Sequence, residues 1–170
     1  MTPTPLPRSL NHVAYVTRDT AATRAFYTEV LGLKLVGYAR EEAVGSTGEP
    51  MAFLHTFFSL GDGSCIAFFE IEGVDIDHHE SALPRWAPHL ALSLPSRAEL
   101  VTAKERLEAA GVEVVGIVEH EGIWSSIYFF DPNGVRLELT FQNRALNDDD
   151  AAAADRAVDQ WLQEKLAVAS

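Results

Sequence analysis

The chain has 170 residues, 47% hydrophobic and 22% charged, with 13 basic against 25 acidic side chains and a formal net charge of −12. That balance suits one globular domain or two small modules sharing a core, and it disfavours nucleic acid and anionic membrane surfaces as partners. The single cysteine, Cys65, excludes an intrachain disulfide, "MTPTPLPRSL" holds no signal-peptide core, and no apolar run reaches the roughly 18 residues of a bilayer span, so a soluble cytoplasmic protein is expected.

In chain order, "LNHVAYV" (10–16) reads as a strand with His12 near its start. A helix follows Asp19, a good N-cap, and carries Ala22, Ala25, Phe26 and Val30 before Gly32 stops it. Extended chain comes next: "MAFLHTFFSL", the turn "GDG", then "CIAFFEI". A polar linker, "EGVDIDHHESALPRW", leads to a second strand, "APHLALS", which contains His89. The second helix starts after Ser96, with Glu99 completing a capping box, and lines up Leu100, Ala103, Leu107 and Ala110 before Gly111. "WSSIYFF", the turn "DPNG" and "VRLELTF" complete the pattern.

The second half echoes the first with a period of about 77 residues. Gly32-Leu33-Lys34-Leu35-Val36-Gly37 matches Gly111-Val112-Glu113-Val114-Val115-Gly116. The expected fold class is therefore α+β: two paired βαβββ modules, 9–73 and 87–143, joined by a linker over 74–86 and forming an eight-stranded cup with helices outside. Residues 144–170 form an acidic helical extension whose stripe of Ala154, Val158, Trp161, Leu162 and Leu166 is expected to dock on the body or on a partner chain.

Placing Gly63 on Gly134 makes Ala67 the counterpart of Glu138, and His12 the counterpart of His89. A pseudo-twofold axis relating the halves would gather His12, His89 and Glu138 at the centre of the cup. Two imidazoles and one carboxylate form a facial set with open positions, suited to non-haem Fe(II), with Mn, Ni, Zn or Mg as alternatives.

"LNHVAYVTRDTAATRAFYTEVLGLKLVG", "HLALSLPS" and "IYFFDPNGVRLELT" resemble the vicinal oxygen chelate superfamily, which includes glyoxalase I, extradiol dioxygenases, methylmalonyl-CoA epimerase, and fosfomycin- and bleomycin-resistance proteins. The resemblance spans about residues 9–143. It implies metal ligation by His12, His89 and Glu138, with one divalent metal per site. The absence of a side-chain ligand at Ala67 resembles the extradiol and fosfomycin enzymes more than the glyoxalases, and leaves room for a substrate chelating through two adjacent oxygens and for dioxygen.

Tyr128, ten residues before Glu138, resembles the substrate-binding tyrosine of extradiol enzymes. Two departures stand beside it. Ser64 occupies the place of their acid–base histidine, and Glu119, beside His120, occupies that of a second. His55 or His120 would then move protons. Glu70 becomes a ligand only under a shifted alignment, which would flip the strand face. His78 and His79 read as solvated linker, and Phe53, Phe57, Trp124 and Phe129 as lining of cup or core.

Three readings follow. One is an extradiol-type dioxygenase acting on a catechol-like small molecule. The second is a glyoxalase-type lyase or isomerase, or a thiol transferase; the lyase needs Glu70 or Glu119 as base in the cup. The third is a bleomycin-resistance-like binding protein. All are compatible with a homodimer, with modules paired within or between chains.

Overall fold

The computed structural model describes residues 9–74 and 84–168, which leaves His78, His79 and most of the linker outside the described residues. Its elements follow the sequence echo. Module one comprises β1 (His12–Val16), α1 (Thr20–Ala25) continued by a π-helical turn (Phe26–Val30), β2 (Lys34–Glu41), β3 (Phe53–Ser59) and β4 (Cys65–Ile71). Module two comprises β5 (Leu90–Ser93), α2 (Arg97–Ala109), β6 (Val115–His120), β7 (Trp124–Phe130) and β8 (Arg136–Gln142). A third helix, α3, spans Asp148–Val168. None of the described helices is long and apolar enough to cross a membrane.

Each module forms one four-stranded sheet, ordered β1-β4-β3-β2 and β5-β8-β7-β6. The first strand of each pairs in parallel with the last, and the others are antiparallel. This is the α+β architecture of paired βαβββ modules, with eight strands among the described residues.

Local chemistry explains the boundaries. The Asp19 carboxylate accepts the Ala22 N–H, and Glu70 from β4 reaches over to accept the Thr20 N–H at 2.7 Å, so the first helix is capped twice. Ser96 and Glu99 form the expected box: the Ser96 hydroxyl accepts the Glu99 N–H and donates to its carboxylate. Gly32 and Gly111 take φ of 77° and 78°, a left-handed exit that favours glycine at both equivalent positions.

Strand alternation divides each sheet into two faces. Val13 and Tyr15 of β1, Ile66 and Phe68 of β4, Ile127 and Phe129 of β7, and Leu137 and Leu139 of β8 pack with Phe26, Tyr27, Leu100 and Leu107 in one core. The helices of both modules therefore share a single apolar interior. Polar links cross it as well. Tyr27 donates to Asp131 of the "DPNG" turn, the Asn133 amide donates to Thr23, and Arg106 donates to the Glu29 carbonyl.

Leu107 is 1% exposed in that interior. Leu107→Ala is expected to cost about 2–5 kcal/mol, through lost transfer energy and the cavity left behind, and to lower the urea midpoint without changing the slope.

Of the two places expected for the stripe of the extension, the body and a partner chain, the body does not cover Val158, Trp161 and Leu162, which are 57%, 62% and 53% exposed. The first turn of the extension is held by polar contacts instead. Asn147 accepts the Asp149 and Asp150 N–H groups, and Arg144 clamps Asp150 with two hydrogen bonds of 2.7 Å, which hold that carboxyl down to about 2.

Candidate metal centre

The sheet faces opposite the shared core carry the chemistry. On module two, β8 presents Arg136, Glu138 and Thr140, and Leu90 beside Leu137 and Ala91 beside Glu138 set the register of β5. His89 thereby reaches Glu138, Nε2 to Oε2 at 2.9 Å. Tyr128 is the cross-strand partner of Glu138 on β7. Its hydroxyl lies 2.8 Å from His120 Nε2, and the His89 ring meets its ring edge-on at 5.9 Å. Burial, followed by the nearby Glu138 charge, raises the Tyr128 hydroxyl above its usual range. Ala91, His120, Trp124, Tyr128, Glu138 and Thr140 line a cavity of about 490 Å³.

The tautomers suit metal ligation. His89 Nδ1 lies 3.0 Å from the Ala87 carbonyl, which can only accept, so Nδ1 carries the proton. Nε2 is then the nitrogen that faces the Glu138 carboxylate, and it can offer a lone pair to a metal. Two electron-rich donors 2.9 Å apart call for a positive charge: a second proton on the ring, or a cation that both atoms bind. An oxygen acceptor behind Nδ1 is also the arrangement that orients ligating histidines.

Module one holds the counterpart. His12 Nδ1 lies 2.7 Å from the Asn11 side-chain oxygen, and His55 Nδ1 lies 3.1 Å from the Phe68 carbonyl. Both rings again keep Nε2 for other work, and they lie 6.1 Å apart. His55 stacks flat on Phe69 at 3.6 Å and meets Phe57 at 4.2 Å. Burial is the first cause that lowers its imidazole below the usual range. Ala67, fully buried between these groups in register with Phe57, offers no ligand.

The convergence of His12, His89 and Glu138 is expected with the modules paired within or between chains, and a single chain does not bring the three together. His89 and Glu138 meet, whereas His12 lies on the other module with His55. Among the described residues, no group of three or more His, Cys, Asp or Glu side chains is gathered so as to hold a metal. The reason is packing. The two modules share a core through their helix-bearing faces, so the faces carrying His12 and Glu138 are on the far side of each sheet from that core. His55 likewise lies with His12 and apart from Tyr128 and His120.

The other candidates have structural work. Glu70 caps α1. Glu119 accepts from Ser125 and pairs with Arg97 at 2.7 Å, which lowers its carboxyl below the usual range. Ser64 donates to Asp62 within the turn. Phe129 belongs to the core, Phe57 packs on the histidine face of module one, and Trp124 lines the cavity around Glu138. Two partners of the site had no individual signal in the sequence: the Ala87 carbonyl behind His89 and the Asn11 amide behind His12.

The scaffold is a pair of βαβββ modules with His12 opening β1, His89 just before β5 and Glu138 on β8. The profile of the Glyoxalase/Bleomycin resistance protein/Dioxygenase superfamily matches residues 9–139, and the chain belongs to that superfamily. Solved structures agree on the fold. A glyoxalase/bleomycin resistance protein/dioxygenase domain from Frankia sp. EAN1pec is 24% identical, with a TM-score of 0.64 over 81% of this chain and 99% of its own. An integron cassette protein from the mobile metagenome of Halifax Harbour sewage outfall is 26% identical, with a TM-score of 0.55 over 79% and 99%. A point mutant of the fosfomycin resistance protein FosX from Listeria monocytogenes, complexed with Mn(II) and 1S,2S-dihydroxypropylphosphonic acid, is 20% identical, with a TM-score of 0.56 over 83% and 96%. No curated protein sequence matches.

Proposed function

We propose that the protein is a divalent-metal enzyme of extradiol-dioxygenase type that acts on a catechol-like small molecule through two adjacent oxygens. The observation that carries this reading is the His89–Glu138 pair with Tyr128 and His120 beside it. The third ligand, His12, would come from a second copy. In a homodimer with twofold symmetry, the partner subunit's His12 faces His89 and Glu138, and the two half-cups close on each other. Ala67 leaves the fourth position without a side-chain donor, so vicinal substrate oxygens have room.

The bound cation supplies a Lewis acid and a template, and Fe(II) suits the donor set, with Mn, Ni or Zn as alternatives. Tyr128 orients substrate by a hydrogen bond from its hydroxyl. His120 Nε2, 2.8 Å behind that hydroxyl, holds or releases the proton, and His55 is a second candidate for this role. The engagement of Glu70 as a helix cap and of Glu119 with Arg97 counts against the lyase reading, which needs one of them as a free base in the cup. The lone cysteine suits a reducing compartment, and the cytoplasm is the inferred location.

The test is metal analysis of protein reconstituted anaerobically with Fe(II), followed by oxygen uptake on addition of catechols. One iron per chain with catechol-dependent uptake supports the reading. Iron-free protein, or iron without uptake, refutes it. Tyr128→Phe is expected to retain iron and to lower kcat by about 10²-fold, the usual scale for a lost proton-transfer partner.

A further inference from the structure

A groove beside the candidate metal centre brings two arginines together, in a chain of net charge −12. Arg136 lies two residues before Glu138 on the same face of β8, about 7 Å away along the strand. Its guanidinium lies 4.4 Å over the Tyr128 ring and donates to the Trp86 carbonyl. Arg85 lies 4.6 Å over the ring of Phe130, the cross-strand partner of Arg136. Both arginines line a cavity of about 650 Å³ with Trp86, Val115, Tyr128 and Phe130. Tyr128 is the wall this cavity shares with the one around Glu138.

A guanidinium over an aromatic ring keeps its N–H groups at the edge, and those of Arg136 that do not bond the Trp86 carbonyl can still form a fork that matches a carboxylate. Among the described residues, neither arginine forms an ion pair. Two carboxylates line the groove. Asp131 is 5% exposed and committed to its turn, accepting from Tyr27, Asn133 and Val135. Glu113 is exposed on the rim and is the one available competitor. Two cations therefore sit a short distance from the chelating position, separated from it by one tyrosine ring.

We propose that Arg85 and Arg136 form an anion subsite that takes a carboxylate carried by the substrate on the side away from its chelating oxygens. This rests on the vicinal-oxygen reading above and narrows its substrate class to acidic catechol-like compounds. Arg136 makes the forked contact nearer the metal. Arg85 adds a second charge at the mouth, and the Glu113 carboxylate on the rim weakens the attraction for an anion.

The experiment compares 3,4-dihydroxyphenylacetate with 4-methylcatechol, titrated anaerobically into Fe(II)-loaded protein. The wild type is expected to prefer the acid by about tenfold or more, the scale of a charge-assisted forked contact. Arg85→Gln and Arg136→Gln each lower that ratio, the double variant brings it near one, Arg136→Lys restores part of it, and Glu113→Gln raises it. A ratio near one in the wild type, or a ratio unchanged in the double variant, overturns the proposal. A second readout separates it from the parent reading. In metal-free protein, phenylacetate is expected to shift the arginine Nε–Hε resonances in NMR spectra, and the double variant to lose those shifts. If neither catechol binds and no iron is held, the vicinal-oxygen reading fails, while the arginine shifts still decide the subsite; silent resonances overturn the subsite even where both catechols bind.

Discussion

Glu138→Ala is expected to lose bound metal and to reduce activity to background, the largest functional effect of any single substitution in the chain. Glu138 is the anionic ligand of the proposed centre; it is 7% exposed and faces His89 Nε2 at 2.9 Å. Removing it leaves the His89 imidazole in the cavity with no carboxylate beside it to offset a divalent cation. His12→Ala is expected to have the same effect on metal content, although in a single chain that residue lies apart from Glu138. The pair of variants therefore tests where the site is assembled. If each centre draws His12 from one subunit and Glu138 from the other, mixing the two inactive variants and allowing subunits to exchange produces heterodimers. Each heterodimer has one intact centre and one doubly defective centre. With random exchange, about a quarter of all centres recover metal and activity. No recovery in a mixture shown to exchange would mean that the ligands come from one chain, and metal retained by Glu138→Ala would remove the carboxylate from the ligand set.

The second large effect concerns stability. Asp131→Ala is expected to cost about 3 kcal/mol, because it leaves several buried donors unsatisfied at once. One Asp131 oxygen accepts the Asn133 and Val135 N–H groups, and the other accepts the Tyr27 hydroxyl and the Asn133 side-chain amide. The turn that starts β8 and the first helix of the other module thus meet at one carboxyl. Burial is the largest cause that raises this carboxyl above its usual range, and the hydrogen bonds only partly oppose it.

The sign of the pH effect follows from that direction. A carboxyl whose folded value exceeds its unfolded value favours the folded state while protonated. Its contribution is complete below about pH 3.9 and is lost as pH rises through the raised folded value. Asp131→Asn keeps a neutral group of the same shape and removes this dependence. The wild-type minus Asp131→Asn stability difference, measured by urea unfolding, should therefore fall as pH rises from about 4 and then level off. A flat difference would show that the carboxyl ionises as easily folded as unfolded.

The duplicated βαβββ order was legible in the residues because helix caps, glycine exits and turn pairs are local signals, and each occurs twice. Asp19, Ser96, Gly32, Gly111, Gly63 and Gly134 occupy the positions their chemistry suggests. Alternation in Val135–Thr140 placed Arg136, Glu138 and Thr140 on one face, and aligning the turns singled out His12, His89, Ala67 and Glu138 as equivalent positions. Alternation and repeat alignment use only spacing along the chain, so both could be read without coordinates.

Which faces meet is a different kind of question. Each βαβββ sheet has a helix-bearing face and a bare face, and the pattern of residues is compatible with modules joined through either. The packed chain joins them through Phe26, Tyr27, Leu107, Phe129 and their neighbours, and through the Tyr27–Asp131 bond. That choice puts His12 with His55, Phe57 and Phe69, and Glu138 with His89, Tyr128 and His120. Likewise, Glu70 and Glu119 looked equally free in the sequence until a helix N-terminus and Arg97 claimed them. Local backbone chemistry is written into short windows of residues, whereas contacts between distant surfaces depend on the total apolar area each arrangement buries, and that sum exists only once the whole chain has packed.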